Sequence, residues 1–165
     1  MDAEELKKKI RETKKLYLRE MEQLLTVDEI VQLFQEFKLN EYMLTRAIKS
    51  FTSEKIKLGL IDRCNIRKSS EISIIETLSN DSKRNIVTTN EREFKPYELV
   101  QIVNNLDLFI ELCTQNREFF DQNGIDLFDV TRKLSEADQI ALIDRIEELG
   151  LTTAEKRQIF ATLSR

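Results

Sequence analysis

Only three glycines and one proline punctuate the 165 residues. Tight turns draw on glycine for positive φ and on proline for a preset φ. A chain this poor in both is badly supplied for a sandwich or barrel, which needs a turn after each short strand. The predicted fold class is therefore all-α, a compact multi-helix bundle of about 6–8 helices held as one domain. Residues 1–25 read as an amphipathic N-terminal helix, either an arm or the first helix of the core. Residues 26–165 read as a single helical domain, large enough to bury a core without disulfides or metal.

Apolar spacing supports this reading along most of the chain. Over 3–25, Leu6, Ile10, Tyr17 and Leu24 fall near a heptad seam, with Met21 one place out of register. These five residues are the candidate self-association stripe. Thr26-Val27-Asp28-Glu29 spells a capping box, and Asn40 can cap a further helix. The segments 27–38 and 41–51 then form a helical hairpin. A second hairpin is predicted near the end: a helix capped by Ser135 with Ile140, Ile143, Ile146 and Leu149 as its buried stripe, then Gly150, then a helix over 154–163 burying Ile159, Phe160 and Leu163.

The middle is more ambiguous. Ser53 can cap a helix from Glu54, yet Ile56, Leu58, Leu60, Cys64 and Ile66 also alternate as a strand would. Ser70 can cap a short helix carrying Ile72, Ile74, Ile75 and Leu78. Asn80–Asn85 reads as an exposed loop or wing, and Ile86-Val87-Thr88-Thr89 as a short strand. The reading thus leaves room for a small β-hairpin or wing within 55–90. Pro96 suits the first turn of a helix. Leu99, Ile102, Val103, Leu106, Phe109, Ile110 and Cys113 then predict one long central helix ending near Asn123-Gly124.

Chemistry is constrained chiefly by what is missing. With no histidine, the chain lacks the usual general base, His–Asp triads and histidine-containing zinc or di-iron sets. Three scattered glycines cannot build a glycine-rich phosphate cradle. Cys64 and Cys113 are 49 residues apart and form no Cys-x-x-Cys pair. Asp121-Gln122-Asn123-Gly124 lacks the ligand spacing of a calcium loop. The expectation is a non-enzyme without cofactor, catalytic residue or metal ligand. The first residues lack the apolar stretch of a signal peptide, and no apolar run approaches the roughly 20 residues of a membrane span. An intracellular, cytoplasmic location follows as an expectation, with no membrane partner.

Charge is unevenly placed. Net charge is −4 overall, with 46–95 at +4 and 96–165 at −6. A helical surface without reactive groups suits an interaction or regulatory module, such as an adaptor, inhibitor or accessory subunit, with another protein as partner and a homodimer through 3–25 as one form. The alternative is a helix–turn–helix or winged-helix regulator that binds nucleic acid. Its candidate contacts are Arg46, Lys49, Lys55, Lys57, Arg63, Arg67, Lys68, Lys83 and Arg84. The chain's pI of 5.2 weighs against it, because a basic footprint usually dominates such proteins.

Overall fold

The computed structural model describes residues 1–163, which hold 13 α-helices, one 3-10 turn and no strand. The all-α class holds, and the helix count exceeds the number expected. The cause is visible in the caps. Asp2, Thr26, Asn40, Ser53, Ser79, Asn105, Asp126 and Ser135 each accept a backbone N–H at a helix start. Short polar side chains, rather than glycine and proline, set most of the boundaries. The chain divides into two compact units, Met1–Thr77 and Leu78 onward. The division anticipated after residue 25 falls inside the first of them.

Unit 1 holds α1 (Ala3–Thr13), α2 (Leu18–Leu24), α3 (Val27–Glu36), α4 (Glu41–Ser50), α5 (Glu54–Arg63) and α6 (Lys68–Ile75). The predicted continuous helix over 3–25 is broken. Lys14 takes a left-handed conformation at φ 61° and its N–H closes α1 on the Ile10 carbonyl at 2.9 Å. The bend lets α2 pack on α1, and Leu6, Ile10 and Met21 are all 0% exposed. The capping box is formed: the Thr26 hydroxyl accepts from the Glu29 N–H at 3.2 Å, and the Glu29 carboxylate accepts from the Thr26 N–H at 3.0 Å.

Both helices of the expected α3–α4 hairpin are present, joined by a turn through Lys38 at φ 51°, but α3 packs mainly on α5 and α4 on α6. Residues 56–66 are not a strand. Ser53 starts α5 by accepting from Ile56, and Gly59 sits where α5 crosses α3: a Cβ there would lie 3.1 Å from Val27 Cγ2. Helix α6 begins two residues before Ser70. Its start is capped by a residue distant in sequence, Glu41 of α4, whose carboxylate accepts the Arg67 N–H at 2.8 Å. No local pattern encodes that contact.

Unit 2 holds α7 (Asn80–Thr88), α8 (Pro96–Ile102), α9 (Leu106–Gln115), α10 (Glu118–Gln122), α11 (Leu127–Lys133), α12 (Glu136–Arg145), a 3-10 turn (Ile146–Leu149) and α13 (Thr153–Leu163). The predicted loop and strand over 80–89 are one helix. Ser79 caps it, and Ile86 and Val87 are buried one turn beyond the stem of Lys83. Burial on a helical face outweighs the β preference of Ile-Val-Thr-Thr.

The single central helix is three. Pro96 opens α8 as expected. Asn105 then interrupts the apolar stripe, because its side chain accepts from the Leu108 N–H at 2.9 Å and donates to Asn80 Oδ1 at 2.9 Å. Phe109 and Phe120 meet edge to face, with centroids 5.9 Å apart, and anchor this interior. Gly124 and Gly150 are left-handed, at φ 65° and 63°, and terminate α10 and the 3-10 turn as predicted.

The two helices of the expected second hairpin are present and capped, by Ser135 and by a Thr152–Glu155 box, but α13 packs mainly on α11. The buried stripe differs from the prediction. Leu142, Ile146 and Leu149 are buried, whereas Ile140, Ile143 and Phe160 are exposed. Leu142, Ile146 and Leu149 follow spacings of four and three, so they share one face. Ile140 and Ile143 lie well round the helix from it.

Candidate functional site

On α12, Ile140 is 61% exposed and Ile143 is 44% exposed. Three residues apart, they project from one side of the helix. Glu136 lies one turn before Ile140, Asp144 one turn after it, and Glu147 one turn after Ile143. All three carboxylates are exposed, and Glu147 also pairs with Lys156 of α13 at 2.7 Å. The helix itself is firmly held. Ser135 caps its start, and Gln139 Nε2 donates to the Leu134 carbonyl at 3.1 Å. Arg145 at its end bridges Asp107 of α9 at 2.8 Å and Glu148 at 2.7 Å. Those two carboxylates hold the Arg145 guanidinium firmly protonated. The result is an apolar pair with acidic flanks on a fixed helix. Unit 2 as a whole carries 11 basic and 16 acidic residues, net −5. The sequence reading missed this face because Ile140 and Ile143 share the spacing of core residues. The one available signal was that Leu142, four residues from Ile146, offers a competing stripe.

The five candidate self-association residues are dispersed by the bend at Lys14. Leu6, Ile10 and Met21 are wholly enclosed in unit 1, Tyr17 is half-buried with Lys9 Nζ 4.3 Å from its ring centre, and Leu24 is exposed. They do not form a common outward stripe.

The nine basic candidates separate into four placements. Lys57 and Lys83 are buried, at 6% and 9% exposure, and Lys57 Nζ donates to the Thr77 hydroxyl at 3.0 Å. Arg63, Lys68 and Arg84 are committed to ion pairs: Arg63 with Asp28 at 2.7 Å, Lys68 with Glu71 at 3.0 Å, and Arg84 with Glu111 and Asp81. The wing that was to carry Lys83 and Arg84 is the helix α7, so their expected reach to phosphates is corrected with it. Lys55 stands exposed on α5. Arg46, Lys49 and Arg67 come together around a cleft of about 700 Å³ between α4 and α6.

Neither thiol is placed for nucleophilic work. Burial pushes Cys113 up to about 12 and raises Cys64 as well, so both stay protonated at neutral pH. Among the described residues, no three or more Cys, Asp or Glu are grouped to hold a metal ion, and no helix is long and apolar enough to cross a membrane. The chain matches no known family model, no curated protein and no solved structure.

Proposed function

We propose that this protein is a non-catalytic interaction module that docks a basic, amphipathic segment of another protein on α12. The observation that carries the reading is the exposed Ile140–Ile143 pair flanked by Glu136, Asp144 and Glu147. Isoleucine has no polar atom to satisfy in water, and two on one helical face supply an apolar anchor. The acidic flanks select a partner with Lys or Arg beside its own apolar residues, and they disfavour a second copy of the same face.

The double variant Ile140→Glu/Ile143→Glu tests this. Both positions are exposed, so the helical circular dichroism and thermal midpoint are expected to stay close to wild type. With full-length protein as bait in extracts of its native host, quantitative mass spectrometry should find partners captured by wild type and lost by the variant. That capture should also weaken with added salt. An identical set of partners on both baits, unchanged by salt, would rule the α12 face out.

A further inference from the structure

The cleft between α4 and α6 is chemically distinct from the α12 face and lies in unit 1. Its α4 wall presents Tyr42, Thr45, Arg46 and Lys49, spaced so that all four project to one side of the helix. Its α6 wall presents Ser69, Ser70 and Ser73, and Arg67 stands at the head of that helix. Among the described residues, Arg46 and Lys49 have no carboxylate partner, unlike Arg63, Lys68 and Arg84. Glu41 is the one acidic group in the lining, and it is already occupied. The Arg67 N–H and the Ser70 hydroxyl hold it below the usual carboxylate range. The cleft therefore carries three cations against one engaged anion. The Thr45 hydroxyl oxygen is shielded from solvent and makes no hydrogen bond. At the rim, Tyr42 is 72% exposed, one turn from Arg46.

We propose that this cleft binds a nucleotide: Arg46, Lys49 and Arg67 take the phosphate, Ser69 and Ser73 donate to its oxygens, and the Tyr42 ring stacks on the base. Cations and hydroxyl donors match the charge and acceptor oxygens of a phosphate. A solvent-facing aromatic ring beside them is the arrangement that holds an unpaired base. A paired duplex offers no base face to Tyr42, so the ligand is either a single strand or a free nucleotide.

The test uses full-length protein with two probes, a fluorescent octauridine RNA read by anisotropy and AMP read by calorimetry, both at low salt. At least one is expected to bind. Arg46→Glu/Lys49→Glu should weaken that binding tenfold or more, Tyr42→Ala should weaken it roughly fivefold or more, and Lys55→Glu, outside the cleft, should leave it unchanged. Steep loss with salt for the RNA alone identifies a strand as the source. Comparable binding of AMP identifies a free nucleotide. If neither probe binds, or if Lys55→Glu weakens binding as much as the cleft variants do, the proposal fails. It also fails if a phosphoserine peptide binds as tightly as both probes and ignores Tyr42→Ala. Circular dichroism of each variant separates lost binding from lost fold, and the milder Arg46→Ala replaces the double variant if that one unfolds.

Discussion

Leu6 and Ile10 belong to the interior of unit 1, although sequence spacing alone fits an exposed seam equally well. Both are 0% exposed. Leu6→Ala removes buried methyl groups and leaves a cavity, which costs about 2–5 kcal/mol. Urea titration of the full chain should show that loss, whereas Leu24→Ala on the surface should change stability by less than about 0.5 kcal/mol. An equal, small effect from both would place α1 outside the core. Glu29 combines two local roles. The Lys7 ammonium pairs with it, and with the Thr26 N–H it holds the Glu29 carboxyl below the usual range. Arg11 does the same to Glu36, and the Arg67 N–H to Glu41. In each case the unfolded chain takes up a proton before the folded one does. The stabilisation is therefore complete above the ordinary value of 4.5 and fades as pH falls through the lowered folded value. Urea midpoints at pH 7 and pH 3 should differ, and Glu29→Gln should shrink the difference. A difference unchanged in that variant would assign the acid sensitivity elsewhere.

Several helix boundaries were legible from local signals, most often a capping oxygen and the N–H it accepts from three residues on. Thr26, Asn40, Ser53, Ser135 and Gly150 all mark ends that the sequence announces. Not every local cap was read: the β-branched run Ile86–Thr89 masked the Ser79 cap of α7. Where the cap is non-local, as with Glu41 at α6, or where an asparagine interrupts an apolar stripe, as with Asn105, periodicity continues across a break that only three-dimensional contacts reveal. Gly59 shows the same limit from the other side. In isolation it weakens α5 by about 1 kcal/mol relative to alanine, and its use becomes visible only against Val27 of α3. A Cβ added at 3.1 Å presses on that side chain. Gly59→Ala is therefore expected to stabilise the Val27→Ala background by about 1 kcal/mol, and the wild type by clearly less. Chemical denaturation of the four proteins of this cycle measures the coupling, and simple additivity would mean that the crossing is looser than its geometry.

At the scale of the whole molecule, the boundary after Thr77 divides the basic middle seen in the sequence, and the acidic end falls in unit 2. Unit 1 carries 15 basic and 14 acidic residues, net +1, and unit 2 is net −5. The stripe proposed for self-association is consumed by the fold, so light scattering at high concentration is expected to return the mass of one chain, 19.5 kDa. A mass of two chains that survives Leu24→Ala and Tyr17→Ala would point to a different contact. Of the candidate sites, the grouping of Arg46 and Lys49 was readable, since they lie three residues apart on a predicted helix. Arg67 could not be joined to them without the packing of α4 on α6. The amino-acid order by itself determined the all-α class, the local caps and the absence of histidine chemistry, because each follows from residue type or from contacts within one turn. The tertiary structure decided which apolar residues are core and which are surface. Leu6 and Ile140 are equally hydrophobic and equally periodic, and only the position of a neighbouring helix encloses one and leaves the other in water.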